Sequence, residues 1–350
     1  MKTSLYPLNI YLLSLLVCCS VSCNDVRSAD AKKAGAIAKD EIEKKRSGKK
    51  DTIDIPNTID TADYNKKMLT LANTDITGRW PAKAPIPLPG AIFPYNRIVA
   101  FYGNLYSKRM GILGEIPKDS MFKKLRGEIN KWEKADSLMP VIAALHYIAV
   151  SAQGSPGKDS KYRMRMPFKQ VDTVMNWAKQ INALVFLDIQ VGASTVKDEV
   201  PHLEKYLQLP NVHLGIDPEF SMKSGETPGR KIGTFNSDDV NAAIDYLASL
   251  VTKYNLPPKI LIVHRFTQGM ITGYEKIKKL PEVQVVMDMD GWGDKILKRS
   301  TYLRYIYKEP VMFTGFKLFY KNDVKKNKGG MYTPEELLKF TPRPAYIQYQ

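Results

Sequence analysis

Asp217 and Glu219 stand two residues apart in Gly215-Ile216-Asp217-Pro218-Glu219-Phe220, at the end of a short apolar run. On an extended strand that spacing sends both side chains to one face. Neighbouring carboxyls take divergent pKa values, one kept protonated and one ionised. Cleavage of a glycosidic bond uses such a pair: a proton for the departing oxygen, and negative charge beneath an oxocarbenium-like carbon. Glu219 is the candidate acid, and Asp217 the partner that tunes its proton. Asp188, Asp288 and Asp290 close two further apolar runs and are candidates for the second carboxylate. His264, Lys317, Tyr346, Gln348 and His146, on other runs, are candidate ligands for hydroxyls or a substrate carboxylate. Trp292, in Gly291-Trp292-Gly293, offers a flat apolar face to a sugar ring.

Such groups need elements that gather them. Eight short, near-continuously apolar runs occur: Arg97–Tyr102, Pro140–Ile148, Ala183–Gln190, Val212–Glu219, Lys259–Phe266, Val283–Asp290, Val311–Phe319 and Ala345–Gln350. They read as strands buried on both faces. Helical patterns fall between them: Phe122–Asp136, Phe168–Ile181, a helix opened by Ser237-Asp238-Asp239, and shorter stretches at Leu203–Leu207, Tyr274–Leu280, Lys295–Tyr307 and Thr333–Phe340. This alternation predicts an α/β fold, a (β/α)8 TIM-like barrel, with an open doubly wound sheet as the alternative. The chain ends on the eighth strand, so something from residues 58–75 is expected to fill the place of the missing last helix. In such barrels the working groups sit at the carboxyl ends of the strands. Carboxylates are costly to bury unless paired or hydrogen-bonded, so several at apolar strand ends predict one shared polar cavity.

The Asp217-Pro218-Glu219 segment resembles the acid pair of several barrel-shaped glycoside hydrolases, chitinase-like and lysozyme-like. Tyr346-Ile347-Gln348-Tyr349 resembles the aromatic–Gln–Tyr strand of the lysozyme-like group. The likeness covers these residues and the strand rhythm, and implies glycosidic hydrolysis. It departs at Val212-His213-Leu214-Gly215, where the chitinase-like families carry further acids, and at Ile98–Gly103, which lacks the first-strand acid of lysozyme-like barrels. Leu256–Lys259 and Val263–Phe266 also resemble segments of a group of bacterial lipoproteins, which implies a family and no activity.

Other chemistries compete. Asp188, Asp217, Glu219, His264, Asp288 and Asp290 suit a divalent cation in a metal-dependent hydrolase. His146 and His264 suit acid–base cleavage of a phosphodiester. A surface glycan-binding lipoprotein would use Trp292 without turnover. The preferred reading calls for no cofactor and no metal. No Gly-x-Gly-x-x-Gly follows the first strand and no Gly-Lys-Ser/Thr loop occurs, which removes support for a nucleotide.

Formal net charge is +16, which favours anionic partners without locating a site. The three cysteines, Cys18, Cys19 and Cys23, all lie near the start, so the body holds no disulfide framework or cysteine nucleophile. Leu5–Val17 suits a signal-peptide core. Ser20-Val21-Ser22-Cys23 resembles a bacterial lipoprotein box, with Ser20 where an aliphatic residue is usual. It implies cleavage before Cys23 and lipidation of that residue. The expected organisation is a signal peptide at 1–22, a lipidated cysteine and polar tether at 23–75, and a barrel at 76–350. An exported chain anchored in a bacterial membrane, on the periplasmic side or cell surface, argues against nucleic acid as a partner, and the acid pair makes carbohydrate the expected substrate.

Overall fold

The computed structural model describes residues 58–325 and 329–350. The signal peptide, Cys23 and the tether up to residue 57 lie outside the described residues. Eight parallel strands close into a barrel: β1 (Arg97–Gly103), β2 (Val141–Ala152), β3 (Leu184–Ile189), β4 (Val212–Ile216), β5 (Lys259–Arg265), β6 (Val283–Met289), β7 (Phe313–Leu318) and β8 (Tyr346–Tyr349). Closure is explicit in the register. β1 pairs with β2 through Arg97↔Val141 to Gly103↔Tyr147, and with β8 through Ile98↔Tyr346 to Phe101↔Tyr349. All eight expected strands form, and the open-sheet alternative is set aside by this ring of pairings. Among the described residues no helix is long and apolar enough to cross a membrane.

Every residue of β1, β4, β5, β6, β7 and β8 is buried, which is why these runs carry no polar alternation. One set of alternate side chains faces the helices and the other meets across the barrel. Inside, His146 stacks on Phe186 at 5.2 Å, and Phe186 lies 5.2 Å from His213 and 5.5 Å from Tyr346. Two glycines make room there. A Cβ on Gly215 would collide with Asp188 and His146, and one on Gly315 with Asp288 and Tyr346.

The helices follow their apolar periodicity. α1 (Thr61–Ala72) is capped by Asp60 and buries Tyr64, Met68 and Leu71. It lies within the stretch expected to be tether. Its end is tied to the loop entering β8, where Arg343 binds Leu71 O at 2.8 Å and Asn73 Oδ1 at 3.1 Å. α2 (Lys118–Ala135) buries Met121, Leu125, Ile129 and Trp132, and α3 (Phe168–Gln180) buries Val171, Val174 and Ala178.

α4 (Ser237–Tyr254) starts at its expected cap, one residue early. Asn236, not Ser237, is the N-cap, in a reciprocal box with Asp239. α5 (Lys295–Thr301) runs into a π-helical turn, Tyr302–Tyr307, and α6 (Pro334–Leu337) is capped by Thr333 and Glu336. The stretch 203–207 becomes a 3-10 turn followed by one helical turn, Glu204–Leu207. The helix expected at Tyr274–Leu280 is absent, and only a 3-10 turn forms at Tyr274–Lys276. The Asn241 side chain donates to Lys276 O at 3.0 Å and accepts from Lys278 N at 2.8 Å, so these backbone groups bond to α4 instead of continuing a helix.

Candidate active site

The carboxyl ends of the strands surround a cleft of ≈ 680 Å³. Asp217, Glu219, Asp290, Lys317, Gln190, Tyr102 and Trp292 line it, together with Phe266, Phe319 and Lys298. The structure therefore brings Glu219, Asp217, Asp290, Lys317 and Trp292 together from three different strand ends. Trp292 is 63% exposed at the rim, its ring free for a ligand.

Local structure around the acid pair differs from the strand geometry expected. β4 stops at Ile216, and Asp217 caps a 3-10 turn, Pro218–Phe220, its Oδ1 accepting from Glu219 N at 3.0 Å. Proline at the first position of the turn cannot donate to a strand ladder, so the strand ends before it. The two carboxyls reach the cleft because the chain turns there, not because they alternate along a strand. Gln190 Nε2 donates to Asp217 Oδ2 at 3.4 Å. Neither Asp217 nor Glu219 has an ion-pair partner among the described residues, and no described residue donates to the Glu219 carboxyl.

Burial pushes the Glu219 pKa up to about 7, and the charge of Asp290 adds to it. Burial also raises the Asp217 carboxyl well above its ordinary value, with Glu219 adding and His264 opposing. Asp290 goes the other way. Burial would raise it, but Lys317 and His264 outweigh that and hold it ionised. Lys317 Nζ lies 2.9 Å from Asp290 Oδ1, and over the Tyr102 ring at 3.8 Å. One cleft thus holds a protonated carboxyl and an ion-paired carboxylate.

Six of the residues expected at the site sit one layer deeper. Asp188, Asp288, His264, His146, Tyr346 and Gln348 are fully buried beneath the cleft. They do not line it, which corrects the substrate-contact roles expected of the last four. The reason is register: His146 is in the middle of β2, His264 pairs with Asp288 inside β5 and β6, and Asp288 pairs with Gly315. The layer is densely connected. Tyr102 OH donates to Asp188 Oδ2 at 2.8 Å. His146 Nε2 and His264 Nε2 each lie 3.4 Å from Asp188 Oδ1. His264 Nδ1 lies 3.2 Å from Asp290 Oδ2 and 3.3 Å from Asp288 Oδ2. His146 Nδ1 meets Tyr346 OH at 2.6 Å and Gln348 Nε2 at 2.9 Å.

Burial lowers the His146 pKa to about 4, leaving the ring neutral. Burial would lower His264 too, but Asp188 and Asp290 outweigh it and raise it well above the imidazole norm. Asp188 is held far below its usual value, its burial outweighed by His264 and His146, whereas burial raises Asp288.

Three contributors were not singled out by sequence reasoning. Tyr102 joins the two layers, and its signal was a phenol at a strand end next to Gly103. Lys298 on α5 and Asp323, both 2% exposed, form an ion pair of 2.7 Å below the cleft wall, with Lys298 also donating to Lys317 O. Burial lowers Lys298 to about 8. Their separation in sequence leaves no local pattern. His202 is exposed, and His213 Nδ1 accepts from Ile260 N at 3.1 Å, away from the cleft.

No family model matches the chain, and no curated protein matches it. Among solved structures, dihydropteroate synthase of Burkholderia cenocepacia, complexed with 7,8-dihydropteroate, aligns with 76% of this chain over 91% of its own. Identity is 10% and the TM-score 0.35, so the barrel topology rests on the strand pairing given above.

Proposed function

We propose that this (β/α)8 barrel is an exported, lipid-anchored glycoside hydrolase working by carboxylate acid/base chemistry. One observation carries the reading: Glu219 and Asp290 face the same cleft, Glu219 unpaired with its pKa raised by burial and Asp290 paired with Lys317 with its pKa lowered. Glu219 keeps its proton to about pH 7 and spends it on no internal acceptor, so it is available to a departing glycosidic oxygen. Asp290, kept ionised by Lys317, supplies negative charge for the sugar carbon that becomes cationic. Asp217 fixes the turn that presents Glu219, its Oδ1 accepting from Glu219 N, while burial and Asp290 raise the Glu219 carboxyl. Trp292 supplies a flat rim face on which a sugar ring stacks. Cys23 would carry the anchor, and the basic chain faces carbohydrate rather than nucleic acid.

The test is release of new reducing ends from a panel of peptidoglycan, chitin-type and plant-type oligosaccharides. Wild type should cleave at least one, and Glu219→Gln should bind it without turnover. Binding by both forms with turnover by neither would make the chain a glycan-binding protein. Turnover that survives Glu219→Gln but is abolished by chelator would replace the scheme with metal-dependent hydrolysis. Anchoring is checked separately: labelled fatty acid should enter wild type and not Cys23→Ala.

A further inference from the structure

We infer that His146, Asp188 and His264 form a binding site for one zinc-type divalent ion beneath the cleft floor. The inference goes beyond the glycosidic reading, and it differs from the ligand set expected from sequence, which lacked His146. Three strands bring one atom each together: His146 Nε2 from β2 and His264 Nε2 from β5 both approach Asp188 Oδ1 from β3. These atoms lie within 4.8 Å of one another. All three residues are fully buried, and none of the three atoms has a hydrogen-bond partner. Buried polar atoms without partners are rare and costly, so three brought together call for a common partner.

The two nitrogen–oxygen distances fit a shared metal better than a proton. Charge-assisted N–H···O bonds close to about 2.7–2.9 Å. Both nitrogens instead stand 3.4 Å from Asp188 Oδ1. Zinc binds nitrogen and oxygen at about 2.0–2.1 Å in a tetrahedron, whose edge is then about 3.3–3.4 Å. The same bonds in an octahedron give an edge of about 2.9 Å. Two imidazoles and one carboxylate are also a donor set that zinc accepts, leaving a fourth position for another ligand.

Each ligand has the outer partner that metal sites require. Tyr102 OH holds Asp188 Oδ2. Asp290 and Asp288 face His264 Nδ1 and take its N–H, so an ion bound at Nε2 replaces only the proton on that side of the ring. For His146, a chain from Nδ1–H to the Tyr346 oxygen and from Tyr346 O–H to Gln348 Oε1 frees Nε2. That chain has the Gln348 amide turned so that Oε1, not Nε2, faces the Tyr346 hydroxyl. Gly215 completes the cradle, since a Cβ there would fill the space against Asp188 Oδ1 and His146 Nε2. Tyr102 and Asp290 line the cleft and touch the ligands, which puts the site directly below it.

The experiment uses the full chain, stripped with a chelator and titrated with Co²⁺ without any sugar present. Wild type should take up one ion per chain, with the intense visible bands of tetrahedral cobalt, displaced by Zn²⁺. His146→Ala and His264→Ala should remain folded by circular dichroism and lose those bands. If either variant fails to fold, Tyr102→Phe decides: it keeps all three ligands and should weaken Co²⁺ binding about 10-fold or more. No uptake by wild type would overturn the inference, as would weak octahedral bands or binding by all the variants equal to wild type. Because the readout is metal uptake, its failure leaves the glycosidic reading standing, and inactivity on sugars leaves the metal site standing.

Discussion

Replacing Glu219 by Gln should stabilise the protein in base while abolishing its acid function. The carboxyl titrates at 4.5 in the unfolded chain and at about 7 in the folded one. Below pH 4.5 both states hold the proton and stability is unaffected. Between 4.5 and about 7 the unfolded chain ionises first, so wild-type stability falls as pH rises. Above about pH 7 the loss is complete, and at 1.36 kcal/mol per pH unit it amounts to about 3 kcal/mol. A glutamine side chain of the same shape does not titrate. The assay is thermal melting of both forms at pH 4 and pH 9. A domain of this size moves by about 2 °C per kcal/mol. The gap between the Glu219→Gln variant and wild type should therefore widen by about 6 °C in favour of the variant at pH 9. A gap that is constant with pH, or that widens the other way, would refute the claim that the cleft holds the Glu219 proton.

Gly215→Ala should destabilise by about 1–3 kcal/mol by overpacking, because its methyl has no space beside Asp188 and His146; chemical denaturation measures this. Asp323→Ala strips the partner from a cation that is 2% exposed and the acceptor from Gly293 N and Phe319 N, and should cost about 3–5 kcal/mol by the same measurement. Trp292→Ala touches an exposed ring, so melting should stay within about 0.5 kcal/mol of wild type, while oligosaccharide affinity falls. A variant that melts much lower would mean that the ring packs the rim instead.

The barrel was legible because its strands are buried on both faces, and such runs stand out against amphipathic helices. The convergence of Glu219, Asp217, Asp290, Lys317 and Trp292 was legible for a topological reason: strand ends of a parallel barrel share one face. Depth was not legible. Asp288 and Asp290 look equivalent in sequence, yet one tops the strand and the other is a layer below, because only the inter-strand register fixes height. The Asp217–Pro218 turn defeated the strand reading of the acid pair, although the proline was in plain view. The missing helix after β5 failed for a longer-range reason, the side chain of Asn241 on α4. Lys298 and Asp323 find each other only through the packing of α5 against the barrel.

The most direct examination of the chemistry is the pH dependence of kcat/KM on two glycosides, one with a poor and one with a good leaving group. With the poor leaving group, activity should fall above about pH 7 as Glu219 loses its proton, and Glu219→Gln should be inactive. With the good leaving group, which needs no proton, that basic limb should vanish and the variant should regain turnover. A limb that persists in Glu219→Gln, or a variant equally impaired on both substrates, would contradict the assignment of Glu219 as the acid.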